Sequence, residues 1–247
     1  MTMTPLIRSE LRKLTSTKMP FAFIAVLIVI AALNAFAAIS GTDMDGSKAF
    51  ISTEADQQSL MAFAFNAFMG AGLFGAIAVA REYGHNTVVP TFLASPRRHR
   101  AVLAQLTAVA IGGCIISLIG AGLTVTTVAI SLPTTDFGFL VSAGNVARVV
   151  AASGFAGAGA ILGAGIGAVV RNVGGAVTLT VFTFIIAPPL VAQLANGTAS
   201  WMPANLANVI SGTVDDVSQP AALLALAAWA AVRAVVGLVA VQRRDIV

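Results

Sequence analysis

The sequence predicts an all-α, polytopic membrane protein, a bundle of six transmembrane helices carried by a single domain. Three observations predict it: composition, the length of the apolar runs, and the placement of basic residues. Of 247 residues, 57% are hydrophobic and 10% are charged, with a mean hydropathy of +0.91. A soluble domain carries roughly 25% charged residues, so this chain has too little polar matter to cover a surface facing water. Its apolar surface must therefore meet lipid. At that depth every backbone N–H and C=O has to be bonded internally, which leaves helices or a closed barrel. Barrel strands run about ten residues and alternate in polarity, whereas the apolar runs here are long and unbroken. Helices follow.

A span needs roughly 20 apolar residues. Runs of that order cover about 20–40, 58–80, 101–131, 146–170, 173–195 and 221–241. The third is over-long, which predicts a tilted helix or one that projects from the bilayer. Lys and Arg set the orientation. With the N-terminus inside, cytoplasmic segments hold Arg8, Arg12, Lys13, Lys18, Arg81, Arg97, Arg98, Arg100, Arg171, Arg243 and Arg244. Outside stand Lys48 and, at the start of the fourth run, Arg148. Insertion favours that asymmetry, so both termini are expected in the cytoplasm of a multi-pass cell-membrane protein. Arg233 alone falls inside a run.

Ahead of the first run, residues 4–18 read as an amphipathic helix in the inner interface. Ile7, Leu11 and Leu14 recur at helical spacing, with Arg8, Arg12 and Lys13 beside them. The first run resembles a signal peptide at Ala35-Phe36-Ala37, yet it is span-length, so an uncleaved first helix is expected. The fourth run carries Gly154, Gly157, Gly159, Gly163, Gly165 and Gly167, the small residues that let membrane helices pack closely.

Several motifs carry no chemistry. Gly70-Ala71-Gly72-Leu73-Phe74-Gly75 satisfies G-x-G-x-x-G, but it lies inside an apolar run rather than after a strand. The stretch from Gly41 to Lys48 mimics a phosphate loop, with acidic neighbours that repel phosphate. The one cysteine, Cys114, excludes an internal disulfide and a Cys-rich metal site. His85 and His99 have no metal-ligand spacing. No nucleophile, base and oxyanion donors converge, so neither an enzyme nor a bound cofactor is expected. The basic residues are dispersed beside spans and meet lipid headgroups rather than nucleic acid.

The most informative segment is 81–100, between the second and third runs. It is charged at both ends and apolar within, where Val88, Val89, Phe92 and Leu93 form one face of a short helix. Such a face in a cytoplasmic loop has to be buried on something. The loop resembles that of type-2 ABC transporter permeases, in which Glu-x-x-x-x-Thr leads into a short helix and then Pro-x-Arg. Here those positions are Glu82, Thr87, Pro96 and Arg98, with Arg97 alongside. The stretch Ser9-Glu10-Leu11-Arg12-Lys13-Leu14 is similar to the family's amphipathic N-terminal segment, and Arg243-Arg244-Asp245 resembles its tail.

The resemblance implies half of an ATP-driven exporter. A second permease, identical or homologous, completes the path, and two copies of a cytoplasmic ABC ATPase bind the ATP and Mg. Glu82, His85, Thr87, Phe92, Leu93, Pro96, Arg97 and Arg98 are then expected to couple to the ATPase. Segment 196–220 is expected to dip into the outer leaflet, or else to pack over the bundle. The second and fifth spans line the path in that family, which points to Phe65, Asn66, Met69, Phe182 and Phe184. Arg233 joins them, since a cation inside a span is costly and faces a bundle interior or water. An apolar or amphipathic cargo, such as a drug, lipid or peptide-like molecule, fits these residues. A self-sufficient secondary transporter or channel is the alternative, and a non-transporting assembly protein a third. The apolar runs hold none of the acidic residues that ion coupling usually uses.

Overall fold

The computed structural model describes residues 3–42, 46, 48–61, 65–84, 87, 98–195 and 197–243. Among them every regular element is helical: α1 (Met3–Thr15), α2 (Met19–Ser40), α3 (Glu54–Met61), α4 (Phe65–Gly84), α5 (Arg98–Ser131), α6 (Ala143–Gly154), α7 (Ala156–Val170), α8 (Val173–Val181), a π-helical turn (Phe182–Ile186), α9 (Ala187–Leu194), α10 (Pro203–Ser211) and α11 (Gln219–Arg243). Five stretches among the described residues are long and apolar enough to cross a membrane: Met19–Ser40, His99–Thr134, Ala143–Val170, Val173–Leu194 and Gln219–Gln242. The chain is thus a polytopic helical membrane protein. The apolar run 58–80 divides between the end of α3 and α4, and residues 62–64 lie outside the described set.

Glycine decides the packing. α7 sits at the centre, buried from Ala156 through Ala168 except at Ala158 and Ile161. A Cβ at Gly163 would overlap the Gly72 carbonyl oxygen, and one at Gly75 would overlap that of Ala160. Backbones of α4 and α7 therefore touch directly. On its other sides α7 meets α11, where a Cβ at Gly165 would stand 2.6 Å from the Arg233 carbonyl oxygen. It meets α5 through Ala160, whose Cβ would lie 2.5 Å from one added at Gly113. Lipid gives helices no hydrophobic reason to associate, so close van der Waals approach has to supply the attraction. The glycines of the fourth run do this.

The periphery is apolar in the opposite sense. α2 packs on α5 by seating Leu27 over Gly120, while Phe21, Val29, Leu33 and Phe36 stand exposed. Leu118 and Ile130 of α5, Leu190 of α9, and Leu224 and Val235 of α11 continue this exposed belt. α5 has 34 residues, about 51 Å at 1.5 Å per residue, and so outruns a hydrocarbon core of about 30 Å.

The fourth and fifth runs are each interrupted. The fourth run starts at a Ser142 cap, whose side chain accepts from the Asn145 N–H, and is divided at Phe155 into α6 and α7. In the fifth run Pro188 and Pro189 remove two N–H donors. A proline ring also crowds the carbonyl four residues earlier. The helix widens before them, and the Ala187 N–H bonds the Phe182 carbonyl five residues back.

Candidate functional site

The segment expected to couple begins at the end of α4, and that end is built into a polar cluster with α1 and α5. Lys13 of α1 lies 2.6 Å from the Glu10 carboxylate and 3.7 Å from that of Glu82. Glu10 is buried, at 5% exposure, and the Glu82 side chain is 14% exposed. Gln105 of α5 stands beside Glu82 on a third side. One ammonium on an exposed side chain thus faces two carboxylates that are largely shielded from water. Burial, and then the Glu10 charge, push the Glu82 pKa above its ordinary range, while Lys13, Gln105 and Arg81 pull it back.

A second contact closes the same end. Arg171 ends α7 in the left-handed region at φ 56, where its N–H bonds the Gly167 carbonyl. Asn172 then caps α8 by accepting from the Gly175 N–H at 3.0 Å. The two-residue connection throws the Arg171 guanidinium 4.8 Å from the centre of the Tyr83 ring. Its Nη2 also donates to the Ala240 carbonyl of α11 at 3.4 Å. Burial, opposed by the Arg171 charge, pushes the Tyr83 phenol up to about 12. Residues 82 and 83, adjacent in sequence, thereby tie together α1, α4, α5, α7 and α11.

Beyond this cluster the loop departs. The Thr87 N–H bonds the Glu82 carbonyl at 3.0 Å, and the buried Glu82 Oε2 and Tyr83 hydroxyl have no hydrogen-bond partner among the described residues. Of the residues expected to couple, Glu82 and Thr87 are described and Arg98 opens α5. His85, Phe92, Leu93, Pro96 and Arg97 lie outside the described residues. Glu82 turns inward to hold α1 rather than outward. The Glu10–Lys13 pair follows from i,i+3 spacing on one helix. Its meeting with Glu82 and Gln105, and the Tyr83–Arg171 stack, join distant segments and carry no local sequence signal.

The residues expected along the path separate. Met69 and Phe184 share one core cluster with Phe68, and the Phe68 and Phe184 ring centroids are 5.2 Å apart. Phe184 is sealed, at 1% exposure, whereas Phe182 is 44% exposed on the belt. Phe65 and Asn66 fall in the first described turn of α4. Arg233 is half-buried on α11, and among the described residues no carboxylate pairs with it.

The opposite end is closed by amides. Buried Gln57 donates to the carbonyls of Ile51 at 3.1 Å and Gly138 at 2.9 Å, and accepts from the Leu140 N–H at 2.8 Å. The Glu54 carboxylate accepts from the Ser142 N–H and from Asn145 Nδ2, both at 2.9 Å. The Ser142 bond, more than any other contact, holds its pKa below the usual value. α10 folds back into the bundle here, burying Leu206, Val209 and Ile210 against Leu162 and Leu226.

No protein-family profile matches this chain, and no curated protein matches it at a significant level. Among the described residues no group of three or more His, Cys, Asp or Glu side chains is arranged to hold a metal ion.

Proposed function

We propose that this chain is the membrane-spanning permease subunit of an ATP-driven exporter of the type-2 ABC kind. In this reading α4 supplies a sixth crossing, so that the whole chain forms one six-span domain with both termini in the cytoplasm of the cell membrane. A second permease, identical or homologous, completes the path, and two ATPase subunits that bind ATP and Mg drive it. The chain itself is then not an enzyme.

The observation that carries the reading is the burial of Glu82, at the root of the loop, between Lys13 of α1 and Gln105 of α5. A push on segment 85–97 reaches this ion cluster first, and through it three helices at once. A loop that only connected two spans would not need its first acidic residue buried in a charge cluster. α1 is then the interfacial helix, with Leu14 on the core and its remaining cations toward headgroups. Phe182 and Arg233 are the surface groups of the proposed path, which suits a drug, lipid or peptide-like cargo. Phe184 and Met69 hold α4 against the fifth run.

The test is Glu82→Ala in the assembled transporter. Transport is expected to fall while ATP hydrolysis by the associated subunits persists. Full transport by this variant would remove the coupling role. One observation favours a second reading. Arg233, a cation without a carboxylate inside a span, suits a self-sufficient anion carrier or channel, and flux persisting without ATP would select it.

A further inference from the structure

At the end of the bundle opposite α1, a cleft opens sideways between α6, α10 and α11. Its mouth holds about 180 Å³ and is lined by Arg148, Ala152, Phe155, Ile210, Gln219 and Leu223. That is an order of magnitude more than one water needs. Ala152, Phe155 and Ile210 also wall a narrower pocket of about 20 Å³ that runs on to Phe68 and Leu226. The two polar groups at that depth are satisfied by their own helices. Ser153 Oγ donates to the Val150 carbonyl, and Ser211 Oγ to that of Asn208. The cleft is therefore apolar within and polar only at its rim.

Arg148 at the rim is exposed, and the ion pairs found among the described residues are both made by Lys13, at the other end. Of the carboxylates near this end, Glu54 holds Ser142 and Asn145, and Asp216 accepts from Ser200 Oγ at 3.2 Å. From Arg148 to Phe155 is about 10 Å along the helix. Phe155, 47% exposed, and Leu224, 73% exposed, place the opening on the apolar belt.

We propose that this cleft binds one anionic membrane lipid. Its phosphodiester sits on the Arg148 guanidinium, with the Gln219 amide donating beside it, and an acyl chain follows Phe155, Ile210 and Leu223 inward. Charge complementarity at the rim and an apolar floor opening onto the belt suit an amphiphile that enters from the bilayer. A soluble anion gains nothing from the floor. The site requires only that the belt lie in the membrane, and it is independent of any ATPase.

The experiment uses the full chain, purified from nanodiscs of mixed phosphatidylglycerol and phosphatidylcholine and analysed by native mass spectrometry. The wild type is expected to retain one phosphatidylglycerol through mild delipidation. Arg148→Gln, which loses a charge-assisted contact, is expected to hold it about tenfold more weakly, and Leu223→Trp, which fills the mouth, to release it. Arg148→Lys and Lys48→Gln, the latter at the other cation of that end, are expected to keep it. Equal retention by wild type and Arg148→Gln would overturn the site. So would equal loss in Lys48→Gln, or retention of phosphatidylcholine instead.

Discussion

The Arg171 guanidinium lies 4.8 Å from the centre of the Tyr83 ring, joining the left-handed end of α7 to the end of α4. A cation over a desolvated aromatic face contributes about 2 kcal/mol. Tyr83→Leu is expected to cost that order of stability in reversible unfolding from mixed micelles. Replacing Arg171 is best done with glycine, which tolerates the positive φ and isolates the loss of the guanidinium from backbone strain. The Arg171→Gly and Tyr83→Leu pair should show coupling of about 0.5–2 kcal/mol in a double-mutant cycle. Strict additivity would mean that the stack contributes nothing.

The Glu82 site predicts a pH dependence of defined sign. Burial raises its folded pKa above the ordinary value of 4.5, so the folded state holds a proton that the unfolded state releases. Its contribution is fully present below the unfolded pKa and is lost as pH rises through the folded one. Glu54, held low by Ser142, acts in the opposite direction, so the comparison has to be made against a variant. The stability difference between wild type and Glu82→Gln should shift in favour of the variant as pH rises above about 4.5. A difference independent of pH would contradict the assigned environment.

Two glycines of the central packing should behave oppositely. A Cβ at Gly163 would overlap the Gly72 carbonyl oxygen, whereas one at Gly70 would meet nothing within 4 Å. Gly163→Ala forces two backbones apart and is expected to cost about 1–3 kcal/mol. Gly70→Ala is expected to be neutral, or to stabilise by about 0.5–1 kcal/mol through helix propensity. Thermal unfolding of the two variants in one detergent decides this, and equal effects would count against the α4–α7 interface.

At the other end Gln57→Met tests whether an amide organises the loops. It strands the partly buried N–H of Leu140, now 2.8 Å from Gln57 Oε1, and losing a partner there costs about 1 kcal/mol. Hydrogen exchange at Leu140 should quicken in the variant. Unchanged protection would show that the loops hold without it.

The sequence made the membrane class legible because it rests on sums over long windows: apolar runs, basic asymmetry and a glycine-rich fourth run. The same windows hid what depends on single contacts. Phe155 breaks the fourth run although nothing apolar is interrupted there, and the π-helical turn at 182–186 follows from two prolines downstream. At the candidate site Glu82 stood out by its motif spacing. Its partners Lys13 and Gln105 lie 69 and 23 positions away, in segments whose approach is a tertiary outcome. Arg171 was legible only as a cytoplasmic cation; its stacking on Tyr83 required the tight turn before Asn172. Phe182 and Phe184 looked alike in sequence, yet helical geometry sends one to the belt and the other to the core.

In the proposed function, segment 81–100 docks a separate ATPase. The direct measurement is purification of the tagged chain from its native membranes in mild detergent, alongside Glu82→Ala, with the copurifying subunits quantified. One ATPase subunit per permease chain is expected, retained by Glu82→Ala with its hydrolysis uncoupled from transport. Consistent absence of any ATPase from the wild-type preparation would contradict it.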